Sequence, residues 1–357
     1  MSSVINFGIW GIGRMGIEHA KYFSPLKEMY KPVAFYDFAM ERAREASEQF
    51  GGKYFEDVES FLANPEMDLV IIATRSLDHV PNATLALESG KRVLLEKPIG
   101  VTDSDYKKLQ ELVKKYPGKL FFGQNHRFEP AHSIAYDIVK SGILGKIHTV
   151  KITKFHRFGV RCDWQMLLAH GGGQLSVWGP HVIDQTLHLL DSPVKSVWSR
   201  MERILTPGDA DDHFKMIIGA ESGAYGEIEV SNAAALPQPY CIIFGDRGAL
   251  SYNEDQKEIS LRYIDPDFKM PELQAFAETP ANNYVWGSSV QLPWVTETRQ
   301  VDLSAGMTSI VENAMAKYLY DALNGTSDFP VTSEQALEVV RLTGVVKSQN
   351  PQFAWLQ

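Results

Sequence analysis

Short continuous apolar runs recur through the first third of the chain, at 5–10, 33–36, 69–73, 92–95 and 120–123. Runs without a polar face are what parallel strands need when both sides of their sheet are covered. Between them, apolar positions three and four apart predict helices at about 15–22, 41–49, 80–88 and 104–115, the last with Asp103 as N-cap. Strand and helix alternating in this way predict a doubly wound parallel α/β sheet.

After about Arg127 the pattern changes. A bridging helix at 130–140 ends at Gly142, and strands then follow without intervening helices at 147–155, 196–200, 214–218, 226–230 and 241–244. That order predicts an α+β domain built on one large, open, mostly antiparallel sheet. A helix across 174–190 interrupts the strands, and helices at 307–323 and 333–346 close the chain. The stretch 263–299 has weak periodicity and the aromatics Tyr284, Trp286 and Trp294, and is predicted to be an ordered insertion with little regular structure, serving as an interface or a lid.

Composition narrows the function classes. With 357 residues and a hydrophobic share of 44%, the chain has enough apolar material for two cored domains, expected at 1–127 and 128–357 with the closing helices free to pack back on the first. The net charge of −9 is spread along the chain and no basic run carries interleaved aromatics, so nucleic acid is not expected as a partner. Cys162 and Cys241 form no paired spacing, which suits a reducing compartment. Neither a signal-peptide pattern nor the ~20 apolar residues of a membrane span occur, so no membrane partner is expected and the expected location is cytoplasmic. His and Cys spacings match no metal motif, and no metal is expected.

Gly11, Gly13 and Gly16 form G-x-G-x-x-G directly after the first strand and at the opening of a helix. In that setting the first glycine makes the tight turn, the second lets backbone approach a pyrophosphate, and the third lets helix pack on strand. Asp37 ends the second strand, where a carboxylate can accept the adenosine ribose hydroxyls and repel a 2′-phosphate, and Phe38 and Ala39 offer no cation to counter it. The first domain is therefore predicted to be a Rossmann domain holding NAD(H), tightly bound, in preference to NADP.

Ligands in open α/β sheets lie beyond the carboxyl ends of the strands. Thr74 and Arg75 follow one such end and Glu96-Lys97-Pro98 another. An ammonium at Lys97 can hydrogen-bond a substrate oxygen and can exchange a proton once burial and neighbouring positive charge lower its pKa.

With these residues in view, the chain resembles the glucose-fructose oxidoreductase and inositol dehydrogenase family, Gfo/Idh/MocA. The resemblance runs through the glycine fingerprint, Ile72-Ala73-Thr74 with His79, Glu96-Lys97-Pro98, Arg127-Phe128 with Pro130, and Gly171-Gly172-Gly173 leading to Gly179-Pro180-His181 and Asp184. It implies cofactor contacts from Gly11, Gly13, Arg14, Met15, Gly16, Asp37, Thr74, His79, Glu96 and Lys97, and a proton-handling pair, Lys97 and His181. It also implies substrate contacts from Asp184 and Arg127, and a homo-oligomer formed on one sheet face. Helical spacing agrees in part, since 177, 181, 184 and 188 lie on one stripe that could turn His181, Asp184 and His188 toward a single cleft. The loop 155–170 is expected to reach over the substrate, with Trp164 for a sugar face and Arg161 and Asp163 for hydroxyls.

One position departs from the family. Many members carry Asp one turn before the histidine, and here Val177 stands. Three readings remain open: Lys97 and His181 suffice, an acid such as Asp163 or Asp184 substitutes, or dehydrogenase chemistry has been lost. The expected activity is NAD-dependent oxidation of a sugar or glycoside hydroxyl, with C3 of a glucoside as the specific expectation. A glycosidase that works by transient oxidation, and a non-catalytic NAD-binding sensor, are the alternatives.

Overall fold

The structure, a computed structural model, describes residues 3–272, 277 and 290–354. The N-terminal part alternates β1 (Ile5–Trp10), α1 (Arg14–Phe23), β2 (Tyr30–Tyr36), α2 (Met40–Phe50), β3 (Lys53–Tyr54), α3 (Val58–Leu62), β4 (Leu69–Ile72), α4 (His79–Glu88), β5 (Arg92–Glu96), α5 (Asp103–Lys115) and β6 (Leu120–Gly123). Its six described strands form a parallel sheet in the order β3-β2-β1-β4-β5-β6. Every residue of β4 and β6 is buried, as two-sided cover demands. The N-cap of α5 is Thr102, one residue before the expected Asp103: its hydroxyl accepts from the Asp105 amide, and the Asp105 carboxylate accepts from the Thr102 amide in return.

A short turn, Asn125–Phe128, leads to α6 (Pro130–Lys140). The second sheet follows with β7 (Ile147–Phe155), then α7 (Gln174–Val177), α8 (Gly179–Leu190), β8 (Val194–Glu202), β9 (His213–Ala220), β10 (Tyr225–Ser231), β11 (Cys241–Gly245), β12 (Gly248–Tyr252), β13 (Glu258–Ile264) and β14 (Trp294–Gln300). Among the described residues it has eight strands in the order β14-β13-β12-β11-β7-β10-β9-β8, antiparallel except for β7 against β10. Strict alternation of burial along β9 shows that one face packs on helices while the other stays open.

Two expectations change here. The helix expected across 174–190 is broken at Trp178, because Pro180 brings no amide hydrogen and its ring would collide with the carbonyl of Ser176 in a continuous helix. The stretch expected to be irregular ends in β14, which pairs with β13 along its whole length. Its residues are largely exposed, so this edge strand lacks the buried face that periodicity detects. Tyr284 and Trp286 lie outside the described residues.

The closing helices α9 (Met307–Leu323) and α10 (Ser333–Gln349) knit the two halves. Met315, Ala316 and Leu319 join the first core, and the Tyr30 hydroxyl donates to the Ala316 carbonyl at 2.7 Å. From α10, Val340 faces the first core while Val339, Leu342 and Val346 face the second. No helix among the described residues is long and apolar enough to cross a membrane.

Candidate active site

A cleft of about 940 Å³ opens at the carboxyl ends of β1, β2, β4 and β5, walled on its far side by Arg161, Asp163, Trp164, Ser176 and Val177. The glycine turn fills its floor. Gly11 has φ +97°, and a Cβ there would lie 2.7 Å from the Ala73 backbone; a Cβ on Gly16 would lie 2.0 Å from the Gly11 carbonyl oxygen. Gly13 has nothing within 4 Å of that position, so the space over the start of α1 is open to an anion. Arg14 and Met15 line the cleft beside it.

The Asp37 carboxylate is fixed by the protein itself, one oxygen accepting from the Ile12 amide at 2.7 Å and the other from the Ala39 amide at 2.8 Å. Each oxygen keeps a second lone pair toward the cleft, which is what a ribose diol requires. The open anion cradle and this carboxylate together fit NAD. The sequence reading named Arg75 at a strand end but placed neither it nor Arg42 beside Asp37. Arg42, one turn into α2, and Arg75, from the end of β4, each stand 6.0 Å from the exposed Phe38 ring and line the cleft. A 2′-phosphate here would meet the Asp37 carboxylate, but not surroundings free of cations.

At the end of β5, the Lys97 ammonium donates to the Val177 carbonyl at 3.2 Å, joining the two halves of the molecule across the cleft. Burial pushes its pKa down to about 8, with Glu96 opposing and Arg14 and Arg161 assisting. His79 holds this edge together, reaching the carbonyls of Pro98 at 2.7 Å and Thr74 at 3.1 Å, while the Thr74 hydroxyl accepts from Asn82. Glu96 lines the cleft and is also engaged by the protein: one oxygen meets His19 Nε2 at 2.8 Å and the other accepts from the Lys97 amide at 3.2 Å. His19 Nδ1 faces Glu312 at 3.3 Å, and Glu312 accepts from Asn125 at 2.9 Å. Burial lowers the pKa of His19, but its two carboxylates overcome this and raise it to about 10.

His181 is buried against His126 and Trp178, with ring centroids 3.9 Å and 5.6 Å away. Burial holds its pKa well below 6.5, and the neighbouring His126, Lys97 and Lys154 lower it further. The stripe expected to converge on one cleft does not. Asp184 and Arg127 form a buried bidentate ion pair with each other, one bond at 2.8 Å, and neither lines the cleft. His188 turns away to His132 at 3.0 Å and stacks on Tyr136. The reason is that α8 is buried nearly all round, so its faces meet three different neighbours. Trp164 lies on the cleft wall with Arg75 over its ring at 5.8 Å, and Arg161 pairs with Asp163 at 2.7 Å.

Fold and site together define an NAD-binding Rossmann oxidoreductase with a second sheet domain closing over the cofactor crevice. Residues 5–124 match the model of the oxidoreductase family with an NAD-binding Rossmann fold, and residues 132–251 match the GFO/IDH/MocA C-terminal domain. The chain belongs to the GFO/IDH/MocA family. It is 26% identical to a myo-inositol 2-dehydrogenase of Thermotoga maritima, over 69% of this chain and 74% of that protein. It is also 26% identical to a D-glucoside 3-dehydrogenase of Escherichia coli, over 66% of this chain and 69% of that one. A levoglucosan dehydrogenase in complex with NADH and levoglucosan shares the fold, with a TM-score of 0.78 at 20% identity, covering 99% of both chains.

Proposed function

We propose that the chain oxidises a secondary hydroxyl of a sugar, cyclitol or glycoside, with C3 of a glucoside as the favoured position, and that Lys97 and His181 take the hydroxyl proton. Bound NAD supplies the acceptor for the carbinol hydride. The observation that carries the reading is Lys97: a lysine at the cofactor crevice whose pKa is lowered to about 8 is a competent proton acceptor near neutrality. Its bond to the Val177 carbonyl fixes the ammonium while leaving further hydrogen-bonding capacity for a substrate oxygen. His181, held neutral by burial, offers a second acceptor. Relatives named for inositol, glucoside and levoglucosan oxidation support the substrate class.

The same proposal includes a homo-oligomer in the cytoplasm. The open face of the second sheet carries exposed Trp198, Tyr225, Phe244 and Trp294, the kind of surface that a second copy would cover. Light scattering tests this, and a monomer at micromolar concentration would contradict it.

Activity is tested with a panel of cyclitols, aldoses and glycosides, following reduced-nicotinamide absorbance with added NAD and on cofactor retained by the purified protein. Reduction with at least one class is expected. Silence in both channels with cofactor bound, or release of free aglycone with no net NADH, would overturn the proposal.

A further inference from the structure

The helix α7 stops at Val177 because Pro180 cannot continue it, and the stop frees a carbonyl. In an unbroken helix the His181 amide would bond the Val177 carbonyl. It bonds that of Trp178 at 3.1 Å instead, and the Val177 carbonyl takes the Lys97 ammonium at 3.2 Å. The start of α7 is fixed as well. The Gly173 amide donates to the Gln165 carbonyl at 2.8 Å, the Gln174 amide to the Asp211 carbonyl at 2.9 Å and the Leu175 amide to the Asp211 carboxylate at 2.9 Å. This wall of the cleft is thus held in place by the protein's own backbone bonds.

Ser176 stands on that wall, one residue before the carbonyl that holds Lys97, and both Ser176 and Val177 line the cleft. Its amide is satisfied by the Gly173 carbonyl at 3.1 Å. Its side chain is not: Ser176 is 2% exposed, and Oγ has no hydrogen-bond partner among the described residues. A hydroxyl shut away from water without a partner destabilises a fold, and alanine in its place would be neutral or better. Several other polar groups of the cleft are engaged already: Asp163 with Arg161, the Thr74 hydroxyl with Asn82, and Glu96 with His19. The Ser176 hydroxyl turns about a single bond and can both donate and accept, so an oxygen-bearing ligand in the cleft is what would satisfy it.

We propose that Ser176 is a substrate-recognition residue: its hydroxyl bonds a hydroxyl of the polyol that flanks the carbon being oxidised, while Lys97 takes the reacting oxygen. The inference rests on the proposed dehydrogenase reading and deepens it, since it calls for a substrate with at least two neighbouring hydroxyls. Ser176 and Val177 have Cα atoms ~3.8 Å apart, so the free hydroxyl and the moored ammonium serve one short stretch of the cleft, as neighbouring ring hydroxyls require. A serine is neutral, so it sorts substrates by hydroxyl pattern without adding charge beside Lys97.

The test uses the full chain with Ser176→Ala and Ser176→Cys, the best polyol of the panel, and its two analogues deoxygenated at the flanking carbons. Cysteine keeps the size of the side chain but bonds oxygen poorly, so it separates a lost hydrogen bond from lost volume. Both variants should lower kcat/KM for the parent polyol by about 3- to 10-fold, mainly through KM. For one of the two deoxy analogues, variant and unmodified protein should agree within about twofold, because that contact is already gone. NAD affinity should stay within about twofold, and Tm of Ser176→Ala should be unchanged or higher. Undiminished kcat/KM in Ser176→Ala, full activity in Ser176→Cys, equal losses on the parent and both analogues, a lower Tm, or a loss of NAD affinity in place of polyol affinity overturns the inference. The same comparison is read without turnover as polyol affinity for the NADH-loaded protein. If the unmodified chain oxidises no polyol, the dehydrogenase reading fails; if polyol affinity is equal in the unmodified protein and Ser176→Ala, the role of Ser176 fails.

Discussion

Replacing His19 by leucine tests whether a buried imidazolium ties the end of β5 to α9. The ring lies between Glu96 at 2.8 Å and Glu312 at 3.3 Å, with all three side chains almost wholly removed from solvent. Leucine has a similar volume, so the change removes charge with little loss of packing. Breaking a buried ion pair from one side costs roughly 3–5 kcal/mol, and here two carboxylates lose the same cation. For a chain of this size each kcal/mol lowers Tm by about 2–4 °C, so a fall on the order of 10 °C is expected. The pH dependence is the sharper arm. His19 titrates near 6.5 when unfolded and at about 10 when folded, so its stabilisation is fully present below pH 6.5 and is lost as pH rises toward 10. The gap between unmodified protein and variant should therefore narrow over that interval, by at most about 1.4 kcal/mol per pH unit. Melting curves across the interval read it directly. A gap that stays constant, or a variant as stable as the parent at neutral pH, would refute a charged His19.

Asp37→Ala should narrow the preference for NAD over NADP, because Arg42 and Arg75 then face the ribose without an opposing carboxylate; parallel titrations check it, and tighter NADP binding by the unmodified chain would contradict the assignment. Arg127→Leu strips the buried Asp184 of its partner and should destabilise by about 3–5 kcal/mol with KM unchanged, whereas a raised KM at unchanged Tm would return that pair to the substrate site. Val177→Asp places a carboxylate on the residue whose carbonyl already holds Lys97. At about 4–5 Å the attraction is worth roughly 3 kcal/mol, so the Lys97 pKa should rise from about 8 by up to ~2 pH units and carry the acidic limb of kcat/KM upward; an unmoved limb would show that the introduced charge does not reach the ammonium or that Lys97 does not set the limb.

The sequence made the parallel sheet legible because strands such as β4 and β6 are apolar at every position, and it hid β3 because two exposed residues, Lys53 and Tyr54, carry no pattern. The cofactor turn was legible because its parts lie within a few residues of chain: Gly11 and Gly16 would meet backbone at 2.7 and 2.0 Å from an added Cβ, and Gly13 keeps the space over α1 open. Lys97 was found from its place at a strand end. The network behind it was not, since His19 and Glu96 are 77 residues apart and meet only when the sheet closes. Helical spacing placed His181, Asp184 and His188 on one stripe, but α8 is central and its neighbours divide that stripe into a ring cluster with His126 and Trp178, an ion pair and a second histidine cluster, none of the three lining the cleft. His126 and Glu129 are close in the chain, yet the buried carboxylate is also held by Gln185 and by Gln256, 127 residues further on, which no local pattern reveals.

The central claim is that Lys97 and His181 handle one proton beside bound NAD. The most direct measurement is the single-turnover rate of cofactor reduction in the NAD-loaded protein, with the best substrate of the panel, for the unmodified chain, Lys97→Met and His181→Ala. Each variant should bind NAD normally and reduce it about 10²-fold or more slowly, with the double variant little worse than either. Cofactor reduction at the unmodified rate in Lys97→Met would contradict the account.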